Sequence, residues 1–242
     1  MAPPTALGGG RAVGGGAQVS HVVAIDGPSG AGKSTIGHAL ATRIDANFVD
    51  TGLMYRALTL AALGRGIDVD DGPALGALAD SVRIEVERPL PEQTERLETV
   101  RLDGRDVTDE VREPHIDRAV SSVSRHAEVR DAMLGVQRAV ASQGDVVMVG
   151  RDIGTVVLPD ATLKVYLTAT AQVRAARRAV EMGAPERYHE YLAEIERRDA
   201  ADSGRAVAPL RQADGALVLD TGALHVEECV DAIVVRLDQI GA

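Results

Sequence analysis

The chain has 242 residues, which is enough for one enlarged α/β domain or for two small domains. Apolar residues make up 45% of it and charged residues 26%, a composition that excludes disordered, collagen-like and coiled-coil proteins. Acidic residues outnumber basic ones by 36 to 26, and the net charge of -10 disfavours non-specific binding to nucleic acid or to anionic membranes. Any recognition of phosphate is therefore expected to be local.

The first part of the chain, residues 1–20, has two Gly-Gly-Gly runs and two prolines, which is typical of a flexible tail. This stretch lacks the compact apolar region of a signal peptide, and no part of the chain approaches about 18 consecutive apolar residues. A single cysteine, Cys229, excludes an internal disulfide and fits a reducing compartment. We expect a cytoplasmic monomer that binds neither membranes nor nucleic acid.

Five short apolar runs predict the strands of a sheet that is buried on both faces. In chain order they cover residues 22–25, 47–49, 146–149, 163–167 and 217–219. Nearly unbroken apolar strands are typical of parallel sheets. Helical repeats lie between the strands, for example Ile36, Leu40 and Ile44 at four-residue spacing. This alternation predicts a layered α/β domain.

Two parts of the chain depart from this alternation. At 82–87 and 97–102 apolar and polar residues alternate, which predicts antiparallel strands in an insert at about 82–112, with a hairpin turn at 104–106. The insert would divide a core formed by 21–81 and 113–242. Residues 171–205, here called the arginine-rich segment, have a helical pattern with seven arginines and seven acidic residues. Many of these arginines could simply form ion pairs along a helix.

A phosphate-binding loop follows the first predicted strand. The sequence GPSGAGKS at 27–34 satisfies the pattern G-x-x-x-x-G-K-[ST] between an apolar strand and a helical repeat. Backbone N–H groups can then point at phosphate oxygens, Lys33 can neutralise the β- and γ-phosphates, and Ser34 can bind Mg²⁺, the predicted cofactor. The predicted ATP-binding residues are Gly27, Pro28, Ser29, Gly30, Ala31, Gly32, Lys33, Ser34 and Thr35.

Two more segments are expected at the same edge of the sheet. The sequences DTGLMYR at 50–56 and GRDIGT at 150–155 follow predicted strands, and ligands bind at the carboxyl ends of parallel strands. The chain has no Asn/Thr-Lys-x-Asp guanine signature, which counts against a GTPase. It also has no obvious separate Walker B aspartate, unless Asp50 or Asp152 serves as one. The loop alone predicts only that a nucleoside triphosphate binds.

A nucleoside monophosphate would be a suitable second substrate. Its phosphate is mainly a dianion at pH 7, so the nucleophile is already ionised and needs no general base. The obstacle is the repulsion between two polyanions, which Lys33, Mg²⁺ and several arginines can overcome. The arginine-rich segment would then be a lid that closes over the site and excludes water.

Four motifs give residues 22–237 a resemblance to the bacterial cytidylate kinases, within the nucleoside monophosphate kinase family. They are DGPSGAGKS at 26–34, DTGLMYR at 50–56, GRDIGTVV at 150–157, and the run from RD at 198–199 to RAVAPL at 205–210. The resemblance implies a three-layer α/β/α core with a P-loop, an inserted CMP-binding domain at 82–112 and an arginine-rich lid at about 171–205. It also implies transfer of the γ-phosphate of ATP to CMP or dCMP.

The resemblance further assigns roles to individual residues. The residues that would hold the acceptor phosphate are Arg56, Arg151 and Arg205. Those that would recognise the cytosine edge are Ser121, Arg130 and Asp152. Those expected nearer the sugar and phosphate of the acceptor are Thr51, where the family often has serine, Arg198 and Asp202. The catalytic group would comprise Lys33, Arg151, Arg198 and Arg205.

Cytosine recognition by these side chains has a physical basis. The exocyclic amine of cytosine can donate to Asp152, while O2 and N3 can accept from Arg130. Uracil reverses the donor and acceptor pattern at N3 and at position 4, which leaves buried groups unpaired. A preference for CMP over UMP is therefore expected.

Simpler roles and other functions stay open at this stage. Asp50 or Thr51 could cap a helix, Arg56 and Arg130 could be surface arginines, and Arg151 with Asp152 could form a turn. The six histidines show no metal-ligand spacing, and Cys229 fits an apolar helical repeat. The alternatives are another small-molecule P-loop kinase, which would need a general base, and a non-catalytic ATP-binding switch.

Overall fold

The computed structural model describes residues 21–93 and 96–241, and the predicted tail at 1–20 lies outside them. The strands in this part of the chain are β1 (Val22–Asp26), β2 (Asn47–Asp50), β3 (Ile84–Glu87), β4 (Thr99–Leu102), β5 (Arg105–Asp106), β6 (Val146–Gly150), β7 (Leu163–Thr168) and β8 (Leu217–Asp220). Five of them form a parallel sheet in the order β2-β6-β1-β7-β8. All five predicted apolar runs lie in this sheet, which confirms the parallel arrangement.

The helices of the described residues are α1 (Lys33–Arg43), α2 (Thr51–Gly64), α3 (Gly72–Ser81), α4 (Pro114–Val123), α5 (Ala127–Ala141), α6 (Ala171–Glu181), α7 (Tyr188–Ser203) and α8 (Val226–Gly241). They cover both faces of the parallel sheet. On one face, Ala24 and Met148 belong to a core that includes Met54 of α2. On the other, Ile25 packs in a core with Ile36 of α1 and with α8. The predicted three-layer α/β/α class is confirmed.

The insert contains a small antiparallel sheet in the order β3-β4-β5. Its tight turn has Asp103 and Gly104 at its centre, both with positive φ (51° and 82°), as in the hairpin turns that match strand twist. The predicted hairpin is therefore present one residue earlier, and Arg105 already belongs to β5. The domain boundaries at 82 and 112 stay a prediction. Ile84 and Val100 of the insert pack into the same core as Met54 of α2, so the insert has no separate hydrophobic core there.

The arginine-rich segment consists of α6, a short 3-10 helix (Pro185–Arg187) and α7, as its pattern predicted. These helices share a small core formed by Ala175, Ala179, Tyr191 and Ile195. Across residues 21–93 and 96–241, none of the helices combines the length and apolar character needed to cross a membrane. Cys229 is a free, buried thiol on α8, as expected for a packing residue.

Candidate active site

The phosphate-binding loop joins the end of β1 to the start of α1, at the centre of the carboxyl edge of the sheet. Gly32 adopts a left-handed conformation (φ 83°) that lets α1 begin at Lys33. A Cβ atom on Gly27 would lie 2.3 Å from the carbonyl oxygen of Leu167, so the loop passes too close to β7 for a side chain there. All nine predicted ATP-binding residues lie in this loop and in the first turn of α1.

Lys33 points back over the loop, where its Nζ donates a hydrogen bond to the carbonyl oxygen of Pro28 at 2.7 Å. Its side chain is largely buried, with 8% of the residue exposed. Burial, followed by the positive charge of Arg151, lowers the pKa of Lys33 well below its usual range. The GRDIGT segment lies beside the loop, since the backbone N–H groups of Ile153 and Gly154 donate to Asp26 directly before it, and both segments lie at the carboxyl edge of the sheet as predicted.

Asp50 links the loop to the start of α2 and to the insert. Its Oδ2 accepts a hydrogen bond from the Ser34 hydroxyl at 2.6 Å, and its Oδ1 accepts from the backbone N–H of Gly52 at 2.9 Å. Asp50 is therefore the helix cap, and the capping hypothesis is wrong for Thr51, whose hydroxyl donates to the carbonyl oxygen of Val149 at 2.9 Å. The Thr51 hydroxyl retains only its capacity to accept a hydrogen bond.

Glu98 of the insert lies behind Asp50 and is almost fully buried, with 2% of the residue exposed. Its Oε1 accepts a hydrogen bond from the backbone N–H of Asp50 at 2.7 Å. Burial, reinforced by the negative charge of Asp50, raises the pKa of Glu98 to about 8. Nothing in the sequence pattern distinguished this glutamate from the exposed ones around it.

The oxygen atoms of Ser34 and Asp50 suit a hard cation such as Mg²⁺. No cluster of three or more histidine, cysteine, aspartate or glutamate side chains suited to a metal ion occurs in the ranges that the structure describes. Mg²⁺ bound to a nucleotide commonly keeps water and phosphate oxygens as most of its ligands. One hydroxyl and one neighbouring carboxylate are therefore a sufficient protein contribution.

Three arginines meet on Asp117 of α4. Arg56 of α2 donates a short hydrogen bond to Oδ1 of Asp117 and a second one, at 3.2 Å, to the carbonyl oxygen of Val111. Arg198 of α7 donates to the same Oδ1 at 3.3 Å, and Nη2 of Arg178 lies 3.6 Å from Oδ2. Burial alone would raise the pKa of Asp117, but the charges of Arg198 and Arg56 outweigh it and lower the pKa.

Two further arginines meet on Asp202 of α7. Nε of Arg151 donates to Oδ2 of Asp202 at 2.7 Å, and Nε of Arg205 donates to the Asp202 carbonyl oxygen at 3.2 Å. Nη2 of Arg205 is buried without a hydrogen-bond partner, although it lies 3.7 Å from Oδ1 of Asp202. A buried guanidinium N–H group without a partner is costly, so Arg205 is suited to bind an anionic ligand.

Arg130 and Asp152 form a buried ion pair through a short hydrogen bond between Nη2 and Oδ2. Arg130 also donates to the carbonyl oxygen of Ser124 at 3.1 Å, and its guanidinium group stacks 5.6 Å from the ring centre of Tyr55. The surface interpretation of Arg130 is therefore wrong. Arg56 is also partly buried, so its contacts are not those of a free surface arginine.

Ser121 lines a cavity of about 590 Å³ between α4 and the end of α7, and its carbonyl oxygen accepts a hydrogen bond from the hydroxyl of Ser124, whose own carbonyl oxygen holds Arg130. Asp202 and Arg205 line the same cavity, together with Arg125 and His126. The structure thus brings Ser121 together with two of the other predicted acceptor residues. Its predicted contact with the cytosine edge stays a prediction.

Two buried side chains organise the loop segments and were not among the predicted site residues. Asp26 accepts hydrogen bonds from the backbone N–H groups of Ile153 and Gly154 at 2.7 and 2.8 Å, and burial raises its pKa to about 6. Arg174 donates to the Ser29 carbonyl oxygen at 3.0 Å and to both carboxylate oxygens of Asp199 at 3.0 and 2.5 Å. Asp26 and Asp199, the partner of Arg174, belong to the motifs at 26–34 and 198–210. That position in a motif is the sequence signal that could have identified them.

Comparison with known proteins identifies the family. A family model described as cytidylate kinase matches residues 23–239. The chain is 48% identical over 222 residues to a cytidylate kinase of Exiguobacterium sibiricum, covering 90% of this chain and 95% of that one. It is 45% identical over 217 residues to a cytidylate kinase of Nocardia farcinica, covering 88% and 91%.

Among solved structures, the fold is similar to that of an uncharacterized protein from Eubacterium ventriosum. The TM-score is 0.52 at 13% sequence identity, with 91% of this chain and 99% of that chain covered. This similarity concerns the fold alone. The family rests on the sequence matches, which extend from β1 into α8 and include the P-loop and all the predicted acceptor residues. The chain belongs to the cytidylate kinase family.

Proposed function

We propose that the protein transfers the γ-phosphate of ATP to CMP or dCMP, giving ADP and CDP or dCDP. Beyond family membership, one observation carries this proposal: five arginines gather on two aspartates beside the P-loop. Arg178 also pairs with Glu181 at 3.2 Å, so five guanidinium charges face three carboxylates and leave an excess of two positive charges, which attracts a phosphate dianion. The arginines are Arg56, Arg151, Arg178, Arg198 and Arg205.

The reaction needs charge neutralisation more than proton transfer. An oxygen of the acceptor's phosphate dianion attacks the γ-phosphorus, the bond from that phosphorus to the β–γ bridging oxygen breaks, and ADP leaves. Lys33 lies in the loop that would hold the β- and γ-phosphates, with Arg151 close to it. Charge that spreads over the transferred group is stabilised there by groups that are already oriented. No general base is required, because the nucleophile is ionised at pH 7.

Mg²⁺ would be held at Ser34, with Asp50 as the neighbouring carboxylate. When bound, this ion would neutralise charge on the phosphates of ATP. The lowered pKa of Lys33 reflects burial and the charge of Arg151, and the phosphates of ATP would reverse that effect. Binding of ATP is therefore expected to raise the pKa of Lys33.

Selection of cytosine is assigned to Asp152 and Arg130. The two side chains orient each other in a buried pair, and Arg130 is held further by Ser124 and Tyr55. Oriented in this way, a carboxylate and a guanidinium group can meet the amine and the N3–O2 edge of cytosine. We also propose that the protein is cytoplasmic and monomeric and that it acts on these small molecules.

The test measures ADP formation from Mg²⁺·ATP with CMP, dCMP, UMP, AMP or no acceptor at matched concentrations. We expect rapid turnover only with CMP and dCMP, and loss of turnover in Lys33→Ala, because charge stabilisation in the transition state is removed. Equal rates with and without acceptor would contradict the proposal. So would a Lys33→Ala variant that folds and retains normal turnover.

A further inference from the structure

Asp117 is the one carboxylate in the described ranges on which three arginines from three helices meet. It lies on α4, and its ion pairs reach Arg56 on α2, Arg178 on α6 and Arg198 on α7. A single side chain therefore ties α2 and α4 to both helices of the arginine-rich segment. None of the sequence-based assignments included Asp117.

The hydrogen bonds of Asp117 occupy groups that the proposed acceptor would need. A guanidinium group binds carboxylates and phosphates through the same N–H fork. Arg56 and Arg198 are two of the residues proposed to contact the acceptor. For Arg198, the bond to Asp117 is the one hydrogen bond that its side chain makes within the part of the chain described by the structure. An incoming phosphate would thus find both arginines engaged by a carboxylate and would meet a like charge at short range.

We propose that Asp117 is an internal counter-ion that competes with the acceptor's phosphate and thereby sets the affinity of the site for CMP. Without acceptor it keeps Arg56 and Arg198 paired and holds the arginine-rich segment against α4. When the acceptor binds, the guanidinium groups exchange the carboxylate for the phosphate, and they return when product leaves. The identity of the acceptor rests on the proposed function, whereas the competition with phosphate does not.

A purely supporting role for Asp117 has the opposite kinetic consequence. If Asp117 only oriented the two arginines, its neutralisation would loosen them and weaken acceptor binding. Arg56, however, has a second anchor in the carbonyl oxygen of Val111 at 3.2 Å, which does not depend on the charge of Asp117. Neutralising a counter-ion that has to be displaced therefore strengthens acceptor binding, and the direction of the change separates the two roles.

The experiment uses Asp117→Asn, which removes the charge and keeps the size of the side chain. We expect the KM for CMP at saturating Mg²⁺·ATP to fall by about two- to fivefold, as is typical for the loss of one partly exposed charge interaction. The KM for ATP should stay within about twofold of the wild-type value. A general loss of structure would change both KM values, so a change confined to the KM for CMP points to the acceptor site. Isothermal calorimetry should show inorganic phosphate binding more tightly by a similar factor.

The matched control is Asp231→Asn, which removes the same charge from α8, where Asp231 pairs with Arg43 at 3.3 Å. Its KM for CMP should match that of the wild type. A normal control together with an unchanged or raised KM in Asp117→Asn overturns the proposal. If the wild type has no CMP-dependent turnover, the proposed function fails, and the phosphate calorimetry still tests the competition. If circular dichroism shows that Asp117→Asn is unfolded, Asp117→Ser, which also removes the charge, takes its place.

Discussion

Arg130 and Asp152 show how a charged pair can be both a structural element and a recognition element. They are almost completely buried, and each satisfies the charge of the other. Removing one partner of such a pair leaves an uncompensated buried charge, which costs about 3–5 kcal/mol. A test of cytosine recognition at this pair therefore has to keep its shape and its hydrogen bond.

Asp152→Asn keeps the shape and the hydrogen bond but leaves the buried charge of Arg130 uncompensated, so urea unfolding has to accompany the kinetics. Its amide oxygen can still accept from Arg130, but the negative charge that would favour the cytosine amine is lost. We expect the KM for CMP to rise at least about tenfold, equivalent to roughly 1–3 kcal/mol for one base contact, with the KM for ATP nearly constant. The preference for CMP over UMP should narrow, because an amide can also donate to the O4 atom of uracil.

Steady-state kinetics with both monophosphates provide the measurement for Asp152→Asn. The exposed Asp160, eight residues further along the same segment, offers the control Asp160→Asn. Unchanged CMP kinetics in Asp152→Asn would remove this residue from the base-binding pocket.

Between elements, Arg174 connects the P-loop to α7. It begins on α6 and reaches Ser29 in the loop, Ala169 after β7, and Asp199 on α7. A Cβ atom on Gly30 would lie only 3.2 Å from the Cβ of Arg174, so the loop and α6 are in close contact. Movement of the arginine-rich segment is therefore expected to act on the loop through this residue.

Arg174→Lys keeps the charge but cannot reproduce the planar fork that binds Asp199 and the two carbonyl oxygens together. We expect a loss of folding stability on the order of 2 kcal/mol and an increase in the KM for ATP that exceeds the increase in the KM for CMP. Urea unfolding and initial-rate kinetics measure the two effects. Arg187→Lys, at the exposed pair of Arg187 with Glu190 in the same segment, is the control. Equal changes in both KM values would contradict the assigned connection.

How far the sequence predicted the structure depends on how local each signal is. The P-loop, the five strands of the parallel sheet and the helical arginine-rich segment are each specified by neighbouring residues, and all of them are present. Burial on both faces does not hold for the edge strand β8, where Val218 is 46% exposed. Asp117 was not predicted, because its role arises only when α2, α4, α6 and α7 pack together. An aspartate beside Arg118 on an amphipathic helix gives no sign of a distant partner. The roles of the predicted site residues remain predictions.

For the whole molecule, Glu98 predicts a dependence of folding stability on pH. Its pKa is about 8 in the folded protein against the ordinary glutamate value of 4.5, so folding favours the protonated form. Below pH 4.5 the side chain is protonated in both states, and its charge has no effect. Between these values the unfolded chain releases the proton first, so the folded state loses relative stability as pH rises.

Glu98→Gln removes this dependence and keeps an oxygen that can accept from the backbone N–H of Asp50. We expect the free energies of unfolding of variant and wild type to be similar at pH 4.5, and the variant to be more stable at pH 8.5 by on the order of 5 kcal/mol. Urea unfolding at both pH values is the measurement. Glu92→Gln, an exposed glutamate of the same insert, controls for loss of charge. An identical difference at both pH values would show that the charge of Glu98 is not the cause.

The small core shared by α6 and α7 has a mechanical consequence. The side chains of Ala175, Ala179, Tyr191 and Ile195 pack against one another, so we expect the two helices to move as one rigid unit. Of the arginines on this unit, Arg174 contacts the P-loop, and Arg178 and Arg198 contact Asp117 of α4. A modest rotation of this unit would change its contacts with the P-loop and with α4 at the same time. The two helices would then respond both to ATP at the P-loop and to the acceptor at α4.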